Sequence, residues 1–305
     1  MTKIVTLEHE PSTVELYGRA VAALLPVVGK SGPIKADAEL PDVAYKLTHV
    51  PVDLNRQQEY CRTTGLQFGA HLPLTYPFVL QFPLVMKTLV DPKFPFGAVG
   101  SVHAENTIRR FRRIENGEPL SITTQAHDLR EHRKGMLIDI ASRFYVGSEL
   151  VGEQVGTFLS QQKTSLSGGE RGPAPKDSTP PPPDAVLSVN LGQIRNYAEA
   201  SGDRNPIHMS NLSAKAFGFP QAIAHGMWSA AAAIANVEAQ LPDAVEYKVR
   251  FGKPILLPAK VNLYTTKVEG AGSAASGPNV AGGYDVSLLN RRKGYPHLTG
   301  TVRGL

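Results

Sequence analysis

The chain has 305 residues, of which 42% are hydrophobic and 19% charged, so it allows about two domains and has enough apolar material for a core. Its formal net charge of +5 falls short of the clustered positive charge of a dedicated nucleic-acid-binding protein, so no nucleic-acid partner is expected. The single cysteine, Cys61, excludes an intrachain disulfide framework and any zinc site with two or more thiolates, which fits a reducing, cytoplasmic compartment.

The first half contains one long apolar stretch followed by a hairpin. Apolar residues dominate positions 76–90, which is a helical length, although Pro77 and Pro83 are expected to kink or shorten a helix there. Strand-like segments at 136–146 and 150–159 follow, joined by a Gly-Ser turn. No apolar stretch of the chain is long enough to span a bilayer, so no membrane span is predicted.

A segment rich in Gly and Pro, residues 164–184, separates the two halves. It has almost no apolar content, and its proline run at 180–183 favours extended polyproline II structure. The segment therefore predicts a linker between an N-terminal unit, residues 1–163, and a C-terminal unit, residues 185–305.

The second half repeats the pattern of the first at a constant offset of 137 residues. In each half a strand end is followed by a short amphipathic helix, a long apolar stretch and two strands. The matched pairs are Val52 and Val189, Leu54 and Leu191, Tyr60 and Tyr197, and Gly65 and Gly202. The second apolar stretch covers 222–241, and its strands cover 284–290 and 298–302. These repeats predict an α+β unit duplicated in tandem, each copy built from a long apolar helix and antiparallel strands.

The segment with the most informative chemistry begins in the second short helix. Its residues are Tyr197, Gly202, Asp203, Asn205, Pro206 and His208. A carboxylate and an imidazole five residues apart around an Asn-Pro turn can face one site, where they offer a base for water and an acid for a carbon atom. Asp-x-Asn-Pro is also an ordinary turn and helix-start sequence, in which the histidine has only a capping or surface role.

Together with the helix start Ala224-His225-Gly226-Met227, this segment resembles the signature of the MaoC-like (R)-specific enoyl-CoA hydratases, the hydratase 2 family. The resemblance implies a double hot dog fold, in which each of two tandem units wraps an antiparallel sheet around a long central helix. It also implies that Asp203 and His208 form the catalytic pair that holds and activates water. The backbone N–H of Gly226, at the start of a helix, would donate to the thioester carbonyl.

The implied reaction is the hydration of trans-2-enoyl thioesters to (R)-3-hydroxyacyl thioesters, or the reverse dehydration. Coenzyme A or acyl carrier protein would be part of the substrate, and no other cofactor is implied. Two alternatives stay open on the residues alone: a hot dog acyl-CoA thioesterase, and a non-catalytic protein that binds acyl thioesters. Because a tandem pair already supplies what single hot dog units obtain by dimerising, both a monomer and a homodimer are open.

The first half lacks the acid–base pair. His71 falls opposite His208 without a gap, but Leu66 replaces the aspartate and Gly69 replaces the proline. The resemblance implies that such a degenerate half accommodates the acyl chain, and Pro77 and Pro83 are compatible with that role. A merely divergent core helix is an equal alternative.

Cationic side chains near the second-half strands are candidates for binding the phosphates of the substrate. They are Lys248, Arg250 and Lys253, with denser clusters at 109–113 and 291–293. Sets of this kind are more often a solvated strand edge than a ligand site, because charged edges also discourage aggregation. No metal site is expected, because His127 and His132 miss helical ligand spacing and His103 has only Glu105 at ligand spacing.

Overall fold

The structure is a computed structural model that describes residues 2–22, 33–96, 101–168, 179–270 and 282–305. Within these residues, one continuous sheet of eleven strands connects the two halves. The first-half strands are β1 (Lys3–Thr6), β2 (Val43–Val50), β3 (Val102–Arg110), β4 (Leu120–His132), β5 (Gly135–Val146) and β6 (Glu149–Gln161). The second-half strands are β7 (Ala185–Val189), β8 (Val245–Phe251), β9 (Ala259–Val268), β10 (Gly283–Asn290) and β11 (Pro296–Gly304). Their order across the sheet is β1-β2-β4-β5-β6-β3-β8-β11-β10-β9-β7.

Seven α-helices lie within the described residues. They are α1 (Thr13–Ala22), α2 (Leu54–Thr64), α3 (Pro77–Leu89), α4 (Leu191–Ser201), α5 (Pro206–Met209), α6 (Asn211–Ala216) and α7 (Gly226–Ile234). Almost every side chain of α3 and α7 is buried, so these two are the central apolar helices of the two halves. The predicted hairpins at 136–159 and 284–302 are confirmed as the antiparallel pairs β5–β6 and β10–β11.

The predicted repeat is visible in the short helices α2 and α4. Each follows a strand of its half after a short connection, and each ends at a glycine in the left-handed conformation, Gly65 with φ 82° and Gly202 with φ 78°. A left-handed residue after the last helical turn is a common helix stop that glycine adopts without a Cβ penalty. The two glycines therefore end corresponding helices at the same point of the repeat.

The two halves join through β3 and β8, which pair antiparallel in the middle of the sheet. Arginines of the 109–113 cluster strengthen this junction. Arg109 forms an ion pair with Glu246, and the buried Arg110 donates to the carbonyl oxygens of Pro242 and Asp243. Arg113 pairs with the Asp243 carboxylate at 2.6 Å. These three arginines are occupied in holding the halves together.

The expected shortening of the first central helix by its prolines is wrong, whereas the expected kink stays a prediction. Pro77 occupies the first turn of α3, where its missing N–H would have no intrahelical partner in any case. The helix continues through Pro83 to Leu89 and is longer than α7. Pro83 removes one hydrogen bond from a helix that is buried along nearly its whole length, and this burial offsets the local loss.

The N-terminal segment adds a strand and a helix outside the repeated unit. Strand β1 extends the sheet edge by pairing parallel with β2. Helix α1 packs against α3, burying Leu16 and Ala20. Its start shows a Ser12-x-x-Glu15 capping pattern, with the Glu15 N–H donating to the Ser12 hydroxyl at 3.4 Å. That pattern is the sequence signal that could have predicted α1.

Part of the predicted linker falls outside the described residues, at 169–178. Its beginning forms a short 3₁₀ turn, Ser165–Gly168, and near its end the carbonyl oxygen of Pro181 accepts a hydrogen bond from the Tyr264 hydroxyl at 2.6 Å. The unit boundaries at 163 and 185 stay predictions. Among the described residues, no helix is both long and apolar enough to cross a bilayer.

Candidate active site

The loop between α4 and α5 is held in a defined turn by its own polar groups. The Asp203 N–H donates to the Ser201 hydroxyl, and the Asn205 N–H donates to Asp203 Oδ1, both at 3.2 Å. Asn205 then caps α5, and Pro206 occupies its first turn, where no N–H is needed. This short sequence therefore fixes the turn from which both the Asp203 and the His208 side chains project.

His208 lies on α5 and is 7% exposed. Its Nδ1 is 2.8 Å from the carbonyl oxygen of Ile223, which can only accept, so Nδ1 carries the proton. The Nε2 lone pair of the neutral ring is then the free one. Burial, followed by the neighbouring His225, lowers the pKa of His208 to about 3, so the ring is neutral at physiological pH.

His225 lies directly beneath His208 and belongs to the segment that leads into α7. The two imidazole rings stack with centroids 3.7 Å apart. His225 Nε2 donates to the backbone carbonyl oxygen of Asp203 at 2.8 Å, while its buried Nδ1 has no hydrogen-bond partner among the described residues. Burial lowers the pKa of His225 as well. This neutral ring thus connects the loop that carries Asp203 to the start of the central helix.

The Asp203 carboxylate accepts hydrogen bonds on one of its oxygens. Oδ1 accepts from the Tyr17 hydroxyl at 2.5 Å and from the Asn205 N–H, and Oδ2 is 3.9 Å from His225 Nε2. Burial acts to raise the pKa of Asp203, but His225, His208, the Tyr17 hydroxyl and the Asn205 N–H together lower it below its ordinary value. The site therefore holds an ionised carboxylate beside a neutral imidazole.

The start of α7 supplies hydrogen-bond donors. His225 is the residue before the helix and offers no side-chain cap, and the Ser229 N–H is bonded to the His225 carbonyl oxygen. The N–H of Gly226, at the first helical position, has no intrahelical partner, and Gly226 is partly exposed between buried neighbours. A Cβ at position 226 would lie 3.2 Å from the Phe251 ring, so only glycine fits beside that ring without displacement.

Comparison with known proteins assigns the family. Residues 175–288 match the family model described as MaoC like domain. The chain is 45% identical over 296 residues to 3-hydroxyacyl-thioester dehydratase X of Mycobacterium tuberculosis, an alignment that covers 97% of this chain and 99% of that protein. The chain belongs to the MaoC-like dehydratase family. The match thereby supports the family resemblance of the Asp203 and His208 segment.

Solved structures agree with this assignment to the MaoC-like family. The crystal structure of HtdX from Mycobacterium tuberculosis matches with a TM-score of 0.74 and 46% identity, covering 85% of this chain and 99% of that one. A MaoC-like dehydratase from Phytophthora capsici matches with a TM-score of 0.65 over 86% of this chain and 94% of that one, and its 19% identity shows a shared fold alone. The predicted double hot dog architecture of the α+β class is confirmed.

Three residues that the sequence interpretation gave no role in the site come from the first half of this MaoC-like chain. Tyr17 reaches Asp203 from α1, and Arg56 of α2 donates its Nε–H to the carbonyl oxygen of Ala200 at 2.7 Å. His103 of β3 stacks on Phe158 at 4.6 Å and lies 5.0 Å from the Phe251 ring, and its Nε2 has no hydrogen-bond partner among the described residues. Burial lowers the pKa of His103 to about 4. No local pattern marks these residues as part of the site.

Tyr197, the first residue of the segment that contains Asp203 and His208, packs against the His225 ring. It is fully buried, and its ring centroid lies 4.9 Å from that of His225 and 5.7 Å from that of Tyr60, its counterpart in the first half. Its hydroxyl has no hydrogen-bond partner among the described residues. Tyr197 therefore packs behind His225 and keeps that ring in position under His208.

The corresponding region of the first half has no acid–base pair. Leu66, opposite Asp203, is buried in the core, and His71, opposite His208, is exposed at the surface. An apolar side chain and a solvated imidazole on separate surfaces cannot cooperate in proton transfer. The chemistry of the described residues is therefore concentrated in the second half.

The three cationic candidates lie in two different environments. Lys248 and Arg250 project from the exposed face of β8, opposite the buried face formed by Tyr247 and Val249. Lys248 pairs with Glu246 at 2.6 Å, and Arg250 pairs with Glu105 at 3.0 Å. Lys253 follows β8 beyond Phe251, with its ammonium 4.2 Å from the Tyr295 ring centroid. The structure thus places Lys248 and Arg250 on the sheet face opposite the one that packs on α7, away from Asp203, His208 and His225. These three residues are called the His208 cluster below.

Asp203, His208 and His225 are also the one group of described residues whose side chains could hold a metal ion, with ligand-type atoms within 4.8 Å of one another. One ring nitrogen of each histidine is already engaged, because His208 Nδ1 and His225 Nε2 donate to backbone carbonyl oxygens. The free His208 Nε2, the Asp203 carboxylate and the Gly226 N–H offer a base, a second proton-transfer group and an oxyanion donor.

Proposed function

We propose that this protein catalyses the hydration of trans-2-enoyl thioesters to (R)-3-hydroxyacyl thioesters and the reverse dehydration. The observation that supports this most strongly is the pairing of an ionised Asp203 with a neutral, buried His208 at the start of a helix with free N–H groups. The M. tuberculosis relative, named a 3-hydroxyacyl-thioester dehydratase, is similar over nearly its whole length.

In the hydration direction, the Asp203 carboxylate and His208 Nε2 hold one water molecule against C3 of the enoyl group. One of these groups takes a proton from the water as its oxygen bonds to C3, and a proton is returned to C2. Negative charge that develops on the thioester oxygen is stabilised by the Gly226 N–H and by the positive end of the α7 dipole. The net change is the addition of H and OH across the double bond, and dehydration follows the same path backwards.

The substrate would be carried by coenzyme A or by acyl carrier protein, with no further cofactor. Lys253 is the best placed cation for a carrier phosphate, because it follows Phe251, whose ring borders Gly226. The aromatic rings of Phe78 and Phe158, both in the first half, pack against the His103 ring. The His103 ring in turn lies 5.0 Å from that of Phe251. These rings support the proposal that the first half accommodates the acyl chain.

The decisive experiment follows the loss of enoyl absorbance over a chain-length series of trans-2-enoyl-CoA substrates and determines the chirality of the product. Asp203→Asn and His208→Ala should each lower turnover by about 10³-fold with the fold intact, since general acid–base groups contribute on this scale. His71→Ala changes the corresponding histidine of the first half and is the matched control.

Near-native rates in both variants would overturn the assignment. Release of free thiol without loss of the enoyl group would select a thioesterase instead. Tight binding of acyl-CoA without turnover would select the non-catalytic alternative. A cytoplasmic location and the choice between monomer and homodimer stay predictions, to be tested by fractionation of cells and by light scattering.

A further inference from the structure

Helix α1, which lies outside the repeated unit, covers the catalytic loop. Its Tyr17 hydroxyl donates to Asp203 Oδ1 at 2.5 Å, across 186 residues of sequence. One turn earlier, Thr13 lies 3.8 Å from the point where a Cβ at Gly202 would be. The Tyr17 ring also lies 6.5 Å from that of Phe82 on α3, so the helix is seated between the central helix of the first half and the catalytic loop of the second.

The two oxygens of the Asp203 carboxylate differ in the hydrogen bonds that they accept. Oδ1 accepts two, from the Tyr17 hydroxyl and from the Asn205 N–H. Oδ2 has no donor at hydrogen-bond distance among the described residues, since His225 Nε2 is 3.9 Å away and donates instead to the Asp203 carbonyl oxygen. The oxygen available to a reacting water is therefore Oδ2, and Tyr17 holds the carboxylate in the rotation that presents it.

We infer that Tyr17 is a positioning residue of the reaction, which orients the Asp203 carboxylate. This inference rests on the proposed function of Asp203 and extends the site to a segment that the tandem repeat does not contain. The Asn205 N–H comes from the same turn as Asp203 and cannot by itself stop the carboxylate from rotating. Tyr17 approaches from a different element and supplies that constraint.

Several other groups face Asp203 and bear on its titration. They are His103 from β3, Tyr197 from α4, His208 from α5 and His225 at the start of α7. Arg56 from α2 lies beside the neighbouring Gly202. Burial lowers the pKa values of the three histidines and raises those of Tyr17 and Tyr197. The three histidines and the two tyrosines are therefore neutral near pH 7, and Asp203 is ionised. Loss of the Tyr17 hydroxyl removes a hydrogen bond from the ionised form of Asp203 alone.

The test compares Tyr17→Phe with Tyr45→Phe. Tyr45 donates to Asp91 Oδ2 at 2.6 Å, a tyrosine–aspartate pair of the same kind away from the His208 cluster. For Tyr17→Phe, we expect kcat for enoyl-CoA hydration to fall about tenfold with little change in KM, and the acid limb of the kcat–pH profile to move to higher pH. Tyr45→Phe should keep the wild-type kcat and acid limb even where its unfolding midpoint drops equally.

A wild-type kcat and acid limb in Tyr17→Phe would overturn the inference, as would equal losses in the two variants. The carboxyl ¹³C resonance of Asp203, followed against pH, gives a readout without turnover. We expect its midpoint to rise in Tyr17→Phe and to stay unchanged in Tyr45→Phe. If wild-type protein hydrates no enoyl thioester, the proposed function fails, and the resonance still decides whether Tyr17 controls Asp203.

Discussion

His208 donates its Nδ1 proton to the carbonyl oxygen of Ile223 at 2.8 Å, and this contact leaves Nε2 as the ring nitrogen open to proton transfer. Ile223 lies just before α7, and its own N–H donates to the Ile207 carbonyl oxygen at 3.2 Å. Helix α5, which carries the proposed base, and the segment leading to the proposed oxyanion donor are therefore bonded to one another in both directions. A base and an oxyanion donor that are fixed to one another need little reorganisation during the reaction.

Stability should fall as the pH is lowered, because His208 is buried in its neutral form. Its pKa is about 3 in the folded chain and 6.5 ordinarily, so between these values the unfolded state binds a proton that the folded state does not. The free energy of unfolding therefore rises with pH in this window, by up to ~1.4 kcal/mol per pH unit from this group. In urea unfolding between about pH 4.5 and 6, His208→Gln should show a flatter dependence. An unchanged slope would contradict this, and His71→Gln, at an exposed position, is the control.

The two left-handed glycines allow a matched comparison between the halves. Alanine at Gly65 or at Gly202 should each lower the free energy of unfolding by about 1 kcal/mol, because a Cβ disfavours the left-handed conformation. Only Gly202→Ala should also lower turnover, by about tenfold, since it precedes Asp203 and its Cβ would lie 3.1 Å from the Arg56 guanidinium. Chemical denaturation and hydratase kinetics measure the two effects. Equal activity of the two variants would argue against this role of the loop.

The start of α7 should be intolerant of a side chain. Gly226→Ala places a Cβ 3.2 to 3.3 Å from three atoms of the Phe251 ring, so the ring or the helix start must move. We expect kcat/KM to fall about 10²-fold, which is the scale of losing one oxyanion donor. Adding Phe251→Leu should recover part of the loss by making room. Gly117→Ala, whose Cβ meets nothing within 4 Å, is the control and should keep wild-type kinetics.

The side chains of Lys248, Arg250 and Lys253 should differ in how much they contribute to binding the carrier part of the substrate. Lys253→Ala is expected to raise KM for enoyl-CoA by about 3- to 10-fold with kcat little changed, the loss expected for one charged contact at a partly solvated site. Lys248→Ala and Arg250→Ala should leave KM unchanged, because both side chains lie on the exposed sheet face and pair with carboxylates. A larger effect at either position than at Lys253 would move the carrier site to that face.

Many structural features of this protein depend on local sequence patterns. The Asn-Pro turn that carries Asp203 and His208 and the helix start at His225-Gly226 each depend on a few adjacent residues, so the sequence alone predicts them. The offset between the halves likewise predicted the duplicated α+β unit. Even the helix that was not predicted, α1, begins with a recognisable capping pattern at Ser12 and Glu15.

Tertiary packing decided the remaining features. The contacts of Tyr17 with Asp203, of Arg56 with Ala200 and of His103 with Phe251 each join segments more than a hundred residues apart. No periodicity or turn signal encodes such distances, because each contact exists only after the two halves share one sheet. Packing also overrode the local cost of Pro83, since burial along α3 outweighs one missing hydrogen bond. The sequence thus determined where the acid–base pair lies, and the joined halves decided how that pair is oriented.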